Sequence, residues 1–164
     1  MDQEIVNELA SELSRQRLRI VFAESCTGGL VSASMASVPG ISQWLCGSAV
    51  TYRCNTKQAW LGVRSSEIQI HTAVSREVAQ EMAVGVLGKT PEADLALSVT
   101  GHLGPNAPEG FDGLVFVGIA RRREQQPPIV EVVRQQLQET QRGARQREAA
   151  SFVMEIGLNR IQRG

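Results

Sequence analysis

The sequence predicts an α/β fold: a single three-layer α/β/α domain with a mixed, largely parallel sheet and a C-terminal hairpin and helix. Three observations carry that expectation. Short, β-branched apolar runs at residues 18–23, 47–52 and 94–100 suit buried strands and are too short for helices. Segments with apolar residues at helical spacing separate them. Two more apolar runs, 114–120 and 129–137, are joined by a short polar link and are expected to pair antiparallel. The 164 residues fit one domain, 1–164, long enough to bury its own core.

Taken in order, Ile5, Leu9, Leu13 and Leu18 recur at roughly helical spacing, so residues 2–16 read as an amphipathic helix. The strand 18–23 then runs into the turn Thr27-Gly28-Gly29 and a helix of small apolar residues over 30–38, ended by Pro39-Gly40. A second strand over 47–52 leads to a short polar helix at 57–61. Ser75 is a good N-cap for the next helix, whose buried stripe is Val78, Met82 and Val86. The third strand, 94–100, is broken by Gly101, and residues 101–113, with four glycines and two prolines, form a loop. The hairpin follows, and a helix over 142–161 closes the chain.

Composition excludes several classes. Seventeen basic residues balance seventeen acidic ones, which leaves no electrostatic footprint for nucleic acid or an anionic membrane. No apolar run approaches the roughly 20 residues that span a bilayer. The N-terminus lacks the basic and apolar regions of a secretory signal. Three cysteines without paired spacing, Cys26, Cys46 and Cys54, argue against a disulfide framework or a structural metal. The expected compartment is a reducing cytoplasm.

The chemistry concentrates at Ser25. A strand that ends in Ser25-Cys26-Thr27-Gly28-Gly29 and enters a helix exposes unpaired N–H groups at the helix start, fit to hold a phosphate or an oxyanion. A serine displayed there can attack a carbonyl. A plain N-cap in a tight glycine turn fits the same residues, and the pattern alone leaves both readings open. Serine needs a base. His71 and His102 belong to no Ser–His–Asp order, although His102 lies in a loop that could reach a site. The chain has two lysines against fifteen arginines; Lys89 reads as solvated, whereas Lys57 stands five residues after Tyr52, the one tyrosine. Burial can lower a lysine's pKa enough for it to accept a proton. A Ser–Lys–Tyr site and a lone surface lysine are both compatible with that spacing.

Five elements occur together in one order: Ala-Glu-Ser-Cys-Thr-Gly-Gly at 23–29, Val-Thr-Tyr with Lys57 following, Ala-Val-Ser at 73–75, Val-Thr-Gly-x-x-Gly-Pro at 99–105, and Arg142-Gly143-Ala144-Arg145-x-x-Glu148. In these the sequence resembles the CinA C-terminal domain family, which includes nicotinamide-nucleotide amidase, from its first helix to its last. The resemblance implies a three-layer α/β domain that tends to oligomerise. The implied reaction converts nicotinamide mononucleotide to nicotinate mononucleotide and ammonia, with no metal and no cofactor. Carried onto this chain, Ser25 is the nucleophile and Lys57 the base, with Tyr52 and Thr100 in support. The Thr27, Gly28 and Gly29 turn, with Cys26, supplies backbone donors, and Gly101, Arg142 and Arg145 line the nucleotide end, where a guanidinium suits a phosphate. For both arginines a solvated helix face is the competing reading. The expected partner is a small pyridine nucleotide, with a second copy of the chain as the expected protein partner.

One departure stands out. After Gly104-Pro105 the family usually has a glycine- and threonine-containing stretch and then Glu-Lys-Pro-Val-Gly. This chain has a shorter run at 106–113 without that lysine, and His102 and Leu103 replace smaller or aliphatic residues. The alternatives are therefore a hydrolase of another small amide or ester, and a catalytically silent nucleotide-binding module.

Overall fold

The computed structural model describes residues 3–163. The chain runs α1 (Gln3–Gln16), β1 (Ile20–Glu24), α2 (Leu30–Ala36), a single 3-10 turn (Ile41–Gln43), β2 (Leu45–Val50), α3 (Cys54–Leu61), α4 (Ser65–His71) and α5 (Arg76–Lys89). β3 (Leu95–Gly101), β4 (Leu114–Arg123), β5 (Gln126–Gln136) and α6 (Arg142–Arg163) complete it. Among the described residues no helix is long and apolar enough to cross a membrane.

The five strands form one sheet in the order β2-β1-β3-β4-β5. β1 pairs parallel with both β2 and β3, while β4 pairs antiparallel with both β3 and β5. Four strands thus point one way and β4 opposes them, the mixed and largely parallel sheet that the sequence predicts.

Alternation along the strands builds two unlike cores. Ile20, Phe22, Leu95, Leu97, Val117 and Ile119 face one side and pack with residues of α1, α2 and α6, among them Leu9, Leu13, Met35, Val153 and Met154. Apart from Val21, the other face carries small residues, Ala23, Ala96, Ser98, Gly118 and Ala120, against Val78, Met82 and Val86 of α5. Small side chains let α5 approach the strands closely: Ser98 Oγ donates to the Ala79 carbonyl at 2.6 Å. A Cβ at Gly118 would stand 2.3 Å from that same oxygen. Ser75 caps α5 as expected, accepting from the Val78 amide.

Several elements differ from expectation. Residue 2 of the predicted first helix lies outside the described residues. α4 was not anticipated, because its seven residues include none that is fully buried and so present no clear stripe. α3 begins at Cys54, three residues before the predicted start. β2 ends at Val50, so Thr51 and Tyr52 lie beyond the strand. The hairpin strands run on to Arg123 and back from Gln126, leaving a two-residue turn whose Gln125 takes φ 54°. Pro127 and Pro128 therefore sit inside β5, a position that proline tolerates because β5 is an edge strand.

Candidate active site

β1, β2 and β3 end on the same side of the sheet. From β1 the chain crosses to β2 through α2 on one face, then returns past β1 to β3 through α3, α4 and α5 on the other. At such a reversal the connections diverge and leave a crevice beyond the strand ends. A cleft of about 270 Å³ opens there, lined by Ser25, Cys26, Tyr52, Lys57, Thr100 and Gly101 on one side. The loop from His102 to Pro105, with Arg142, forms its other wall.

Ser25 is the first residue past β1, where its amide donates to the Val99 carbonyl at 3.0 Å. Lys57 is on the second turn of α3, and Tyr52 is not its nearest partner. Its Nζ lies 2.7 Å from Ser25 Oγ and donates to the Thr51 carbonyl, also at 2.7 Å. Only 1% of Lys57 and 7% of Ser25 is exposed, so solvent does not separate the pair. Burial pushes the lysine pKa down, and the nearby thiols of Cys54 and Cys26 oppose this to a smaller degree. Neither hydrogen-bond partner is a carboxylate, so no countercharge in that contact holds the proton on the amine. The arrangement places a base within reach of a hydroxyl.

The turn after Ser25 is organised by Glu24, a residue for which sequence reasoning gave no role. Its buried carboxylate accepts from Thr27 Oγ1 (2.8 Å) and the amides of Gly29 (3.0 Å), Val31 (3.0 Å) and Ser32 (2.9 Å). Ser48 Oγ on β2 is a fifth donor at 3.0 Å. The available signal was an acidic residue closing an apolar strand just before a helix start, where a carboxylate can meet free amides.

The expected binding residues divide into two groups. Cys26 lines the cleft, and burial pushes its thiol up to about 12, which keeps it protonated. Gly101 lines the cleft too, and a Cβ there would meet Val115 Cγ1 at 2.4 Å. Arg142 spans the mouth, donating to Tyr52 Oη at 2.7 Å and to the Gly104 carbonyl. Thr100 is at the cleft floor, but its hydroxyl donates to the Ala73 carbonyl at 2.8 Å rather than to Ser25 or Lys57.

Thr27, Gly28, Gly29 and Arg145 lie outside the lining. The Thr27 hydroxyl and Gly29 amide are taken by Glu24, and the Gly28 amide by the Ser25 carbonyl, which corrects the expectation that these groups face a ligand. Arg145 holds Asp112 through both terminal nitrogens (2.7 and 2.8 Å) and donates through Nε to the Glu139 carbonyl. Its terminal nitrogens are thereby committed to pinning the 101–113 loop, and Nε to the segment before α6. The Asp112 carboxyl is in turn held below the usual range by the Arg145 hydrogen bonds.

His102 does reach the cleft, as its loop position allowed. Its ring packs edge-on against Phe111 at 5.9 Å, and burial lowers its pKa. His71 is instead on the surface of α4 near Glu67 and Glu77. Among the described residues no cluster of three or more His, Cys, Asp or Glu forms a metal site.

Comparison with known proteins supplies the relatives. The model of the CinA C-terminal domain matches residues 2–161. A competence-damage inducible protein of Halalkalibacterium halodurans is 36% identical over 160 residues, 97% of this chain and 37% of that protein. A CinA-like protein of Prochlorococcus marinus is 40% identical over 121 residues, 73% of this chain and 28% of its relative. The chain therefore spans well under half the length of these curated relatives. Among solved structures, a CinA superfamily protein of Klebsiella pneumoniae superposes with a TM-score of 0.90 at 27% identity, covering 99% of this chain and 98% of that one. A competence/damage inducible protein of Agrobacterium tumefaciens gives 0.87 at 28% identity, with 96% and 94% covered. On the sequence match and the shared fold together, the chain belongs to the CinA C-terminal domain family.

Proposed function

We propose that this chain hydrolyses a small carboxamide through a Ser25–Lys57 acyl-enzyme, with nicotinamide mononucleotide as substrate. The observation that carries the reading is the 2.7 Å approach of Lys57 Nζ to Ser25 Oγ inside a buried, carboxylate-free contact. A neutral Lys57 takes the hydroxyl proton as Oγ adds to the carboxamide carbon. The C–N bond then breaks as Lys57 returns that proton to the departing nitrogen, releasing ammonia and leaving an ester on Ser25. Water, deprotonated by the same amine, cleaves the ester to the carboxylate and restores Ser25. The cationic Arg142 at the mouth suits the anionic end of a nucleotide, and family membership supports the pyridine nucleotide as the amide.

Incubation with nicotinamide mononucleotide is expected to release ammonia, and Ser25→Ala to abolish the release. Lys57→Arg is expected to abolish it as well, because a guanidinium is no base near neutral pH. Thermal stabilisation by the nucleotide without ammonia would instead identify a binding module. His102 in the cleft wall, braced edge-on by Phe111, favours one second reading, in which the same Ser–Lys machinery acts on a different small amide. Ammonia from another amide, and none from the mononucleotide, would select it.

A further inference from the structure

We propose that Glu24 is the positioning residue of the serine turn: its buried carboxylate fixes the backbone after Ser25 so that Oγ is presented to the cleft. The proposal rests on the reading of Ser25 as nucleophile.

The amides following Ser25 are almost all held inside the protein. The amide of Gly28 donates to the Ser25 carbonyl and that of Leu30 to the Thr27 carbonyl. Those of Gly29, Val31 and Ser32 all go to the Glu24 carboxylate. Every N–H from 28 to 32 is thus engaged within the protein. The amides of Cys26 and Thr27 turn to the Cys26 sulfur instead, where they favour its thiolate.

Glu24 determines this division. A helix start left open would attract an external anion, but here an internal carboxylate fills it with five donors and no exposure. A ligand phosphate therefore has no place at the start of α2, and the anionic end of a substrate must be met elsewhere in the cleft. The same carboxylate joins the turn to β2 through Ser48 and fixes the peptide planes between Ser25 and α2.

The test uses Glu24→Gln, which turns an amide NH2 toward amide donors, and Thr27→Val, which removes one hydroxyl bond and keeps every backbone N–H. Each is compared with wild type for melting temperature, for kcat and KM on nicotinamide mononucleotide, and for the rate at which a small fluorophosphonate labels Ser25, read by mass spectrometry. Expected are a loss in kcat of about 100-fold or more for Glu24→Gln and about tenfold for Thr27→Val, with KM within about twofold. Labelling should slow in parallel, and the acid limb of the pH–rate profile should stay in place because Lys57 still titrates. Should Glu24→Gln not fold, Thr27→Val carries the test. Wild-type labelling and turnover per folded molecule in the folded variants would overturn the proposal, as would loss of the acid limb in Glu24→Gln. Absence of Ser25 labelling and turnover in the wild type would overturn the nucleophile reading, and this proposal with it.

Discussion

Lys57 carries a proton balance that reaches beyond its proposed role as base. Its pKa in the folded chain lies below the ordinary 10.5 because burial disfavours the ammonium. Activity should therefore rise with pH along a limb centred below 10.5, measured as kcat/KM across a buffer series. Stability follows the same group. Between the lowered folded value and the ordinary unfolded one, the unfolded chain binds more protons than the folded chain, so unfolding becomes harder as pH rises. This contribution is complete above the unfolded value and is lost as pH falls to the folded one. Denaturant titrations from neutral to alkaline pH should show wild type gaining stability relative to Lys57→Met. A pH-independent difference would mean that the amine is ordinary.

Ser25 and Lys57 were legible as a candidate pair because a strand–serine–glycine turn and an isolated lysine are local signals. Glu24 and Arg145 were not. Whether a carboxylate faces a helix start, or a guanidinium faces a cleft or a loop, depends on contacts such as Arg145 to Asp112, 33 residues apart in the chain. Local spacing carries no record of them.

Among the elements, α5 and the 101–113 loop make the strongest demands. Because α5 comes close to the sheet backbone at Gly118, its seat there tolerates little. Gly118→Ala should destabilise by about 1–3 kcal/mol through overpacking, with Ser98 losing its short bond to Ala79; thermal unfolding would show it. At Gly85 a Cβ would stand 2.0 Å from the Leu61 carbonyl, so Gly85→Ala should be at least as costly. The loop depends instead on one side chain. Arg145→Met should lower the melting temperature by about 4 °C and raise KM severalfold, because the wall from His102 to Pro105 loses its clamp at Leu103 and Asp112. An unchanged KM would show that the wall stands without it. Periodicity identified α5 and the loop's glycines and prolines identified the loop, but α4 has no wholly buried residue and gave nothing to detect.

For the molecule as a whole, fold class followed from strand brevity and helical spacing, whereas strand order did not, since pairing is a long-range choice between apolar strands of similar character. The order matters, because it makes β1 the reversal point and so places Ser25 in the crevice. It also leaves β5 at a margin of the sheet. An eleven-residue strand containing three valines and an isoleucine at such a margin is a template on which unrelated chains can accrete. Here the Pro127-Pro128 pair removes an outward amide that a recruited strand would need, Glu131 and Arg134 add charge, and Arg76 of α5 donates to the Val132 carbonyl at 3.0 Å. The margin is thereby blunted against such accretion. Exchanging both prolines for valine and Arg76 for alanine should leave catalysis alone while shortening the time to turbidity on warming, as light scattering would record.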